Sequence, residues 1–324
     1  MTGGASGSDD EQPEGGAPGQ PGARGPDHPP SGTPPYPPPG VPPFPPPGSG
    51  GPGAGAWPPP GAPVDVADDE RPPRTPRDGA TWILYAALGF LAGQVLSSIA
   101  LIAVAAVNGH SSDVSELAAS AVPPAWVVIS GLVGLWAGFV GAVVVTSRTR
   151  GTGNVRRDMR FEVRGWDLLI GPAVGLAGQL VLLPLLYVPL EHAIPDLGKK
   201  LSQPAKHLTG GFPGGDLAVI AFLTVVAVPV IEETFFRGLI LRGLVRALAR
   251  TGPVVGPALA VVADGVVFGL AHFEPLELLG LAAFGVVLAV MAYRFGRLGP
   301  CIFAHATFNL VAILSVAYPT GMLR

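Results

Sequence analysis

Three short runs hold residue types that can do acid–base chemistry, and each is embedded in apolar sequence. They are Glu232-Glu233-Thr234-Phe235-Phe236-Arg237-Gly238, Phe268-Gly269-Leu270-Ala271-His272 and His305-Ala306-Thr307-Phe308-Asn309. Ionisable groups within apolar membrane segments are costly and mark functional sites. Glu233 and Arg237 stand four positions apart, so on a helix they share a face and can pair. Glu232 then lies about 100° round the same helix, and two carboxylates beside one arginine leave one of them less compensated, which suits a general base. Phe268 with His272, and His305 with Asn309, repeat the four-residue spacing, so each pair can point at one target. Asp264 continues the Phe268–His272 stripe, but it is two turns from the histidine and can orient it only through an intermediary. It is therefore placed outside the site.

The elements that must carry these residues are membrane helices. The chain has 324 residues, 48% of them apolar and only 13% charged, with a mean hydropathy of +0.44. A soluble domain carries about 25% charge. Of the 38 prolines, 24 fall in the first 80 residues. Setting that stretch aside leaves roughly 58% apolar residues, a membrane-protein composition. A net charge of -3 gives no ground for a nucleic-acid partner. The single cysteine, Cys301, can form neither an intramolecular disulfide nor a cysteine-rich metal site.

Seven apolar segments are expected: Trp82 to Val107, Ala125 to Val145, Leu168 to Leu190, Leu217 to Ile231, Val254 to Ala271, Leu276 to Tyr293 and Cys301 to Tyr318. The first three are long enough to cross a hydrocarbon core of about 30 Å. The last four are shorter or interrupted by charge, as helices lining a polar cavity are. The fold class is an all-α, polytopic transmembrane helix bundle. Residues 79–324 form its multi-pass membrane domain, with the chemistry-bearing core at 217–318. Pro172, Pro184, Pro189 and Gln179 in the third segment read as kinks and packing.

Residues 1–78, rich in Pro and Gly, cannot bury enough apolar surface to fold and are expected to be a disordered cytoplasmic tail with local polyproline II. Tyr36, Phe44 and Trp57 are candidate docking points for a partner, although a solvated tail with incidental aromatics is the simpler reading. No basic, then apolar, leader follows Met1, so the tail is expected to be kept. Arg71, Arg74 and Arg77, the loop arginines from Arg148 to Arg164, Arg242 to Arg250, and Arg294 with Arg297 put the N-terminus and these loops on the cytoplasmic side, in the plasma membrane. The loop from Glu191 to Asp216 then faces outward despite Lys199, Lys200 and Lys206.

Helical rise shows that two of the runs can meet. Measured from the Thr251-Gly252-Pro253 break, Glu233 lies about 27 Å down one helix and His272 about 30 Å along the next. His305 is only about 14 Å from the turn at Gly296. Spacing alone does not bring it to the same depth.

The ordered motifs EETFFRG, FGLAH and HATFN resemble those of the CPBP intramembrane proteases, relatives of the CAAX prenyl endopeptidase and of bacteriocin-processing or immunity membrane proteins. The family pattern of EExxxR, FxxxH and HxxxN or HxxxD is met by Glu232, Glu233 and Arg237, by Phe268 and His272, and by His305 and Asn309. The resemblance covers about Leu217 to Tyr318. It implies a glutamate-type membrane endopeptidase in which Glu232 or Glu233, with His272, activates a water. Position favours Glu232, because Arg237 can occupy Glu233. His305 and Asn309 would donate to the oxyanion, and Arg237 and Phe268 would be structural. The substrate would be a membrane-associated peptide or protein, with the lipid bilayer as the other partner.

No cofactor is expected. A zinc version of the same enzyme would use Glu233, His272 and His305, but HExxH is absent from the sequence. Gly4-Ala5-Ser6-Gly7 mimics a serine-protease motif but lies in the tail. A paired-aspartate site lacks a second intramembrane Asp beside Asp264. The competing functions are a non-catalytic scaffold or immunity protein using the same cavity, and a transporter with a carboxylate proton relay. A transporter would more naturally show internal repeats.

Overall fold

The structure, a computed structural model, describes residues 76–120, 123–204, 206 and 214–317. The tail expected over 1–78, with its docking aromatics, lies outside these residues except for its last three positions, which begin the first helix. Among the described residues all regular structure is helical. The long helices are α1 (Pro76–Val107), α2 (Ala125–Arg150), α3 (Asp167–Glu191), α4 (Gly214–Ala247), α5 (Val255–Leu270), α6 (Leu278–Phe295) and α7 (Gly299–Ala317).

Five of these, α1 to α4 and α6, are long and apolar enough to cross a membrane, while α5 and α7 are shorter apolar helices. This revises the expected division, in which only the first three were long. The fourth apolar segment seemed to stop at Ile231, yet α4 runs straight through both glutamates. It can do so because its charges are enclosed by protein: the Glu233 and Arg237 side chains are both 0% exposed. Two stretches of α4, Leu223–Ala227 and Thr234–Leu241, are wound as π-helix. Such wide turns are rare and concentrate at functional sites. A third interrupts α3 at Gly178–Leu182, between its prolines.

The helices pair as α1 with α2, α3 with α7, and α5 with α6. On α1 the residues Leu84, Leu88, Leu91, Val95, Ile99 and Ile102 form an exposed apolar stripe at helical spacing, as a lipid-facing surface requires. The opposite face meets α2 through glycine. A Cβ on Gly138 would collide with the backbone of Gly89 and Gly93, so the two helices lie against each other backbone to backbone. α4 is the hub. Its second π stretch touches α1, α2, α5 and α6, and its Val228–Glu233 turn touches α7.

The entry to α7 is fixed by the α2–α3 connection. Leu298 and Gly299 donate backbone hydrogen bonds to the carbonyls of Arg160 (3.1 Å) and Glu162 (3.0 Å). Arg297 forms a buried two-point pair with Asp167, at 2.5 and 3.2 Å. Buried carboxylates need such partners. These contacts set the height at which α7 enters the bundle and carries in His305.

Candidate active site

Glu232 and Glu233 occupy the last turn of ordinary helix before the second π stretch of α4. Their environments differ. Glu233 is wholly enclosed, and its Oε1 accepts from Arg237 Nη1 (3.0 Å) and from His305 Nδ1 (2.8 Å). The Glu232 side chain is 12% exposed, and its Oε2 lies 4.0 Å from His305 Nε2. That oxygen has no hydrogen-bond partner among the described residues. One imidazole therefore lies between the two carboxylates. Because Nδ1 faces a carboxylate oxygen, which can only accept, Nδ1 carries the hydrogen and Nε2 is turned towards Glu232.

Arg237 is anchored from three helices. Besides Glu233, its Nη2 donates to the carbonyl of Gly285 on α6 (2.9 Å), and its Nε is 3.3 Å from Asp264 Oδ2 on α5. Its guanidinium lies 4.4 Å from the centre of the Phe268 ring. The reach to Gly285 depends on α5 and α6 touching there. A Cβ on Gly285 would stand 2.9 Å from the Gly265 carbonyl oxygen and 3.1 Å from the Phe268 ring, too close for any side chain to fit unchanged.

An aromatic wall holds the rings. Phe139 of α2 stacks on Phe235 at 4.0 Å, Phe235 meets Phe236 edge-on at 5.2 Å, and Phe236 meets Phe268 edge-on at 5.2 Å. Phe268 is edge-on to both histidines, at 4.7 Å from His272 and 5.6 Å from His305. His272 sits just beyond the end of α5, and its Nδ1 lies 2.8 Å from the Phe268 carbonyl oxygen, to which it donates. Burial lowers the His272 pKa and the Arg237 charge lowers it further, against the opposing Phe268 carbonyl and Glu274. With Nδ1 donating to that carbonyl, Nε2 is the acceptor of the neutral ring.

Five of the seven sequence-derived residues, Glu232, Glu233, Arg237, Phe268 and His305, thus form one connected cluster. His272 joins it through Phe268. Asn309, one turn beyond His305 on α7, donates through Nδ2 to the Thr224 carbonyl in the first π stretch of α4 (2.9 Å). Asn309 is thus tied to the backbone of α4. Asp264, which spacing alone sets outside the site, adjoins it through Arg237 and not by orienting His272. Gly285, Phe139 and Thr224 gave no signal in sequence, two of them because they act through backbone carbonyls. Among the described residues no group of three or more His, Cys, Asp or Glu side chains is arranged to hold a metal ion. Glu233, His272 and His305 are not such a set.

Residues 214–311 match the family model described as type II CAAX prenyl endopeptidase Rce1-like. The match takes in all three motifs, agrees with a CPBP-family protease and supports an intramembrane CAAX-type protease at family level. Together with the five membrane-length helices it makes the chain an integral membrane protein. No curated protein and no solved structure matches it.

Proposed function

We propose that the Rce1-like region hydrolyses a peptide bond of a membrane-associated substrate with Glu232 as the general base. The observation that carries this reading is the asymmetry of the glutamates around His305. Glu233 is bound by an arginine and an imidazole, while Glu232 Oε2 is left open beside His305 Nε2. Glu232 takes a proton from water as the oxygen attacks the scissile carbonyl. Glu233, locked by Arg237, holds His305 by Nδ1. With a proton on Nε2 as well, His305 is a donor to the oxyanion, and the second amide hydrogen of Asn309 is available for the same task. His272, neutral, accepts and relays the proton that the leaving amine requires.

The family description makes a prenylated CAAX peptide the first substrate to offer, beside a membrane peptide without a prenyl group. The full-length protein in liposomes is expected to release a C-terminal fragment detectable by mass spectrometry. Activity should persist in EDTA, with no stoichiometric zinc in the active protein. Failure to cut either peptide would defeat the protease reading. Zinc at one per chain, with loss of activity in chelator, would replace the water-activating glutamate by a metal.

We also propose that the N-terminus and the Arg-rich loops face the cytoplasm across the plasma membrane, as the loop charges indicate. A cysteine at Arg156, in a Cys301→Ser background, should react with an impermeant thiol reagent only after the membrane is opened. Labelling of intact cells would invert the orientation.

A further inference from the structure

A cavity of about 290 Å³ lies where α4 turns into α5 and α6 turns into α7. Neither Glu232 nor His305 lines it. Its wall carries Arg160, Arg242, Arg246 and Arg297, and Arg237 is shared with the site described above. Among the described residues no Asp or Glu lines it. The remaining surface is largely apolar and includes Leu241, Val245 and Pro257.

Several of these guanidinium groups are fixed in place. Arg246 stacks on Trp82 at 3.8 Å and donates to the Arg242 carbonyl at 3.3 Å. Arg297 spends its Nε and Nη2 on Asp167 and so braces the wall, leaving phosphate recognition to the other arginines. Arginine presents a planar fork of donors that matches phosphate oxygens two at a time. These arginines also belong to the loops and helix ends that the positive-inside rule assigns to the cytoplasmic face, where anionic lipids collect and basic pockets between helices take their headgroups. A water molecule takes about 30 Å³, so the space is that of a headgroup and not of a whole lipid.

We propose that this cavity binds the phosphate headgroup of an anionic membrane lipid. Bound there, the phosphate adds negative charge beside Arg237, the anchor of Glu233, and so links lipid composition to the acidic cluster. Binding itself does not depend on the protease reading, and the test does not measure cleavage.

The full-length protein is placed in nanodiscs of phosphatidylcholine alone or with phosphatidylglycerol, and retained lipid is counted by native mass spectrometry. Phosphatidylglycerol should be retained in preference and should raise the unfolding temperature of the wild type. Arg242→Gln and Arg246→Gln should each weaken that preference about fivefold. The pair Arg148→Gln and Arg150→Gln, exposed at the end of α2, should leave it unchanged. Equal retention of the two lipids, no rise in wild-type unfolding temperature, or the same loss in the Arg148 and Arg150 pair would overturn the proposal. So would a rise with soluble glycerol 3-phosphate and none with phosphatidylglycerol, which would assign the cavity to a free phosphate ester.

Discussion

Glu232→Gln should abolish cleavage while leaving the protein folded. Removing a general base lowers kcat by about 10² to 10⁴. The amide is nearly isosteric with the carboxylate, and Glu232 Oε2 accepts no hydrogen bond that the substitution would break. Its unfolding temperature should therefore stay at the wild-type value. Glu233→Gln should behave differently. Its Oε1 serves both Arg237 and His305, so the neutral side chain weakens two buried charged contacts, and activity and stability should fall together. The assay is release of the C-terminal fragment, run beside thermal unfolding in detergent. A Glu232→Gln protein with more than about a tenth of wild-type turnover, against the factor expected for a base, would end the assignment.

Arg237→Met should be the most destabilising single change in the site. It removes the cation lying between Glu233 and Asp264 and strands both carboxylates at 0% side-chain exposure. Breaking a buried ion pair from one side costs about 3–5 kcal/mol, which corresponds to a fall in Tm on the order of 10 °C. Lysine should rescue little, because a single ammonium cannot address Glu233, Asp264 and the Gly285 carbonyl together. A double-mutant cycle gives the sharper test. Asp264→Asn should cost less in the Arg237→Met background than in the wild type, since the carboxylate it removes has already lost its partner. Strict additivity of the two losses would show that Asp264 and Arg237 do not act together.

Much of this site is legible in the sequence because helical spacing is a rigid rule. A spacing of four from Glu233 to Arg237 is enough to pair them, and the rise per residue is enough to bring α4 and α5 side by side. The rule says nothing about the height at which one helix enters relative to another. His305 illustrates this: its depth is set by Arg297 on Asp167 and by the backbone bonds of Leu298 and Gly299 to the α2–α3 connection. Those partners are more than a hundred residues away and carry no periodic signal. Asp264 was misplaced for a related reason. Counting along its own helix asks only what lies one or two turns away, whereas the long Arg237 side chain crosses from α4 to collect it. The Gly285 and Thr224 carbonyls and the π stretches of α4 were hidden because any residue can supply a backbone oxygen, and no apolar repeat announces a wider turn.

That wider turn has a consequence of its own. Phe235, Phe236, Arg237, Gly238, Leu239, Ile240 and Leu241 are all buried, so this part of α4 has no side turned to lipid. Elsewhere in the bundle, as along the outer stripe of α1, one apolar residue can replace another with little effect, because hydrocarbon chains accommodate any shape. Around the whole circumference of 235–241 that freedom is gone. Apolar substitutions are therefore expected to be tolerated at its rim, whereas its middle should accept only matched replacements on neighbouring helices.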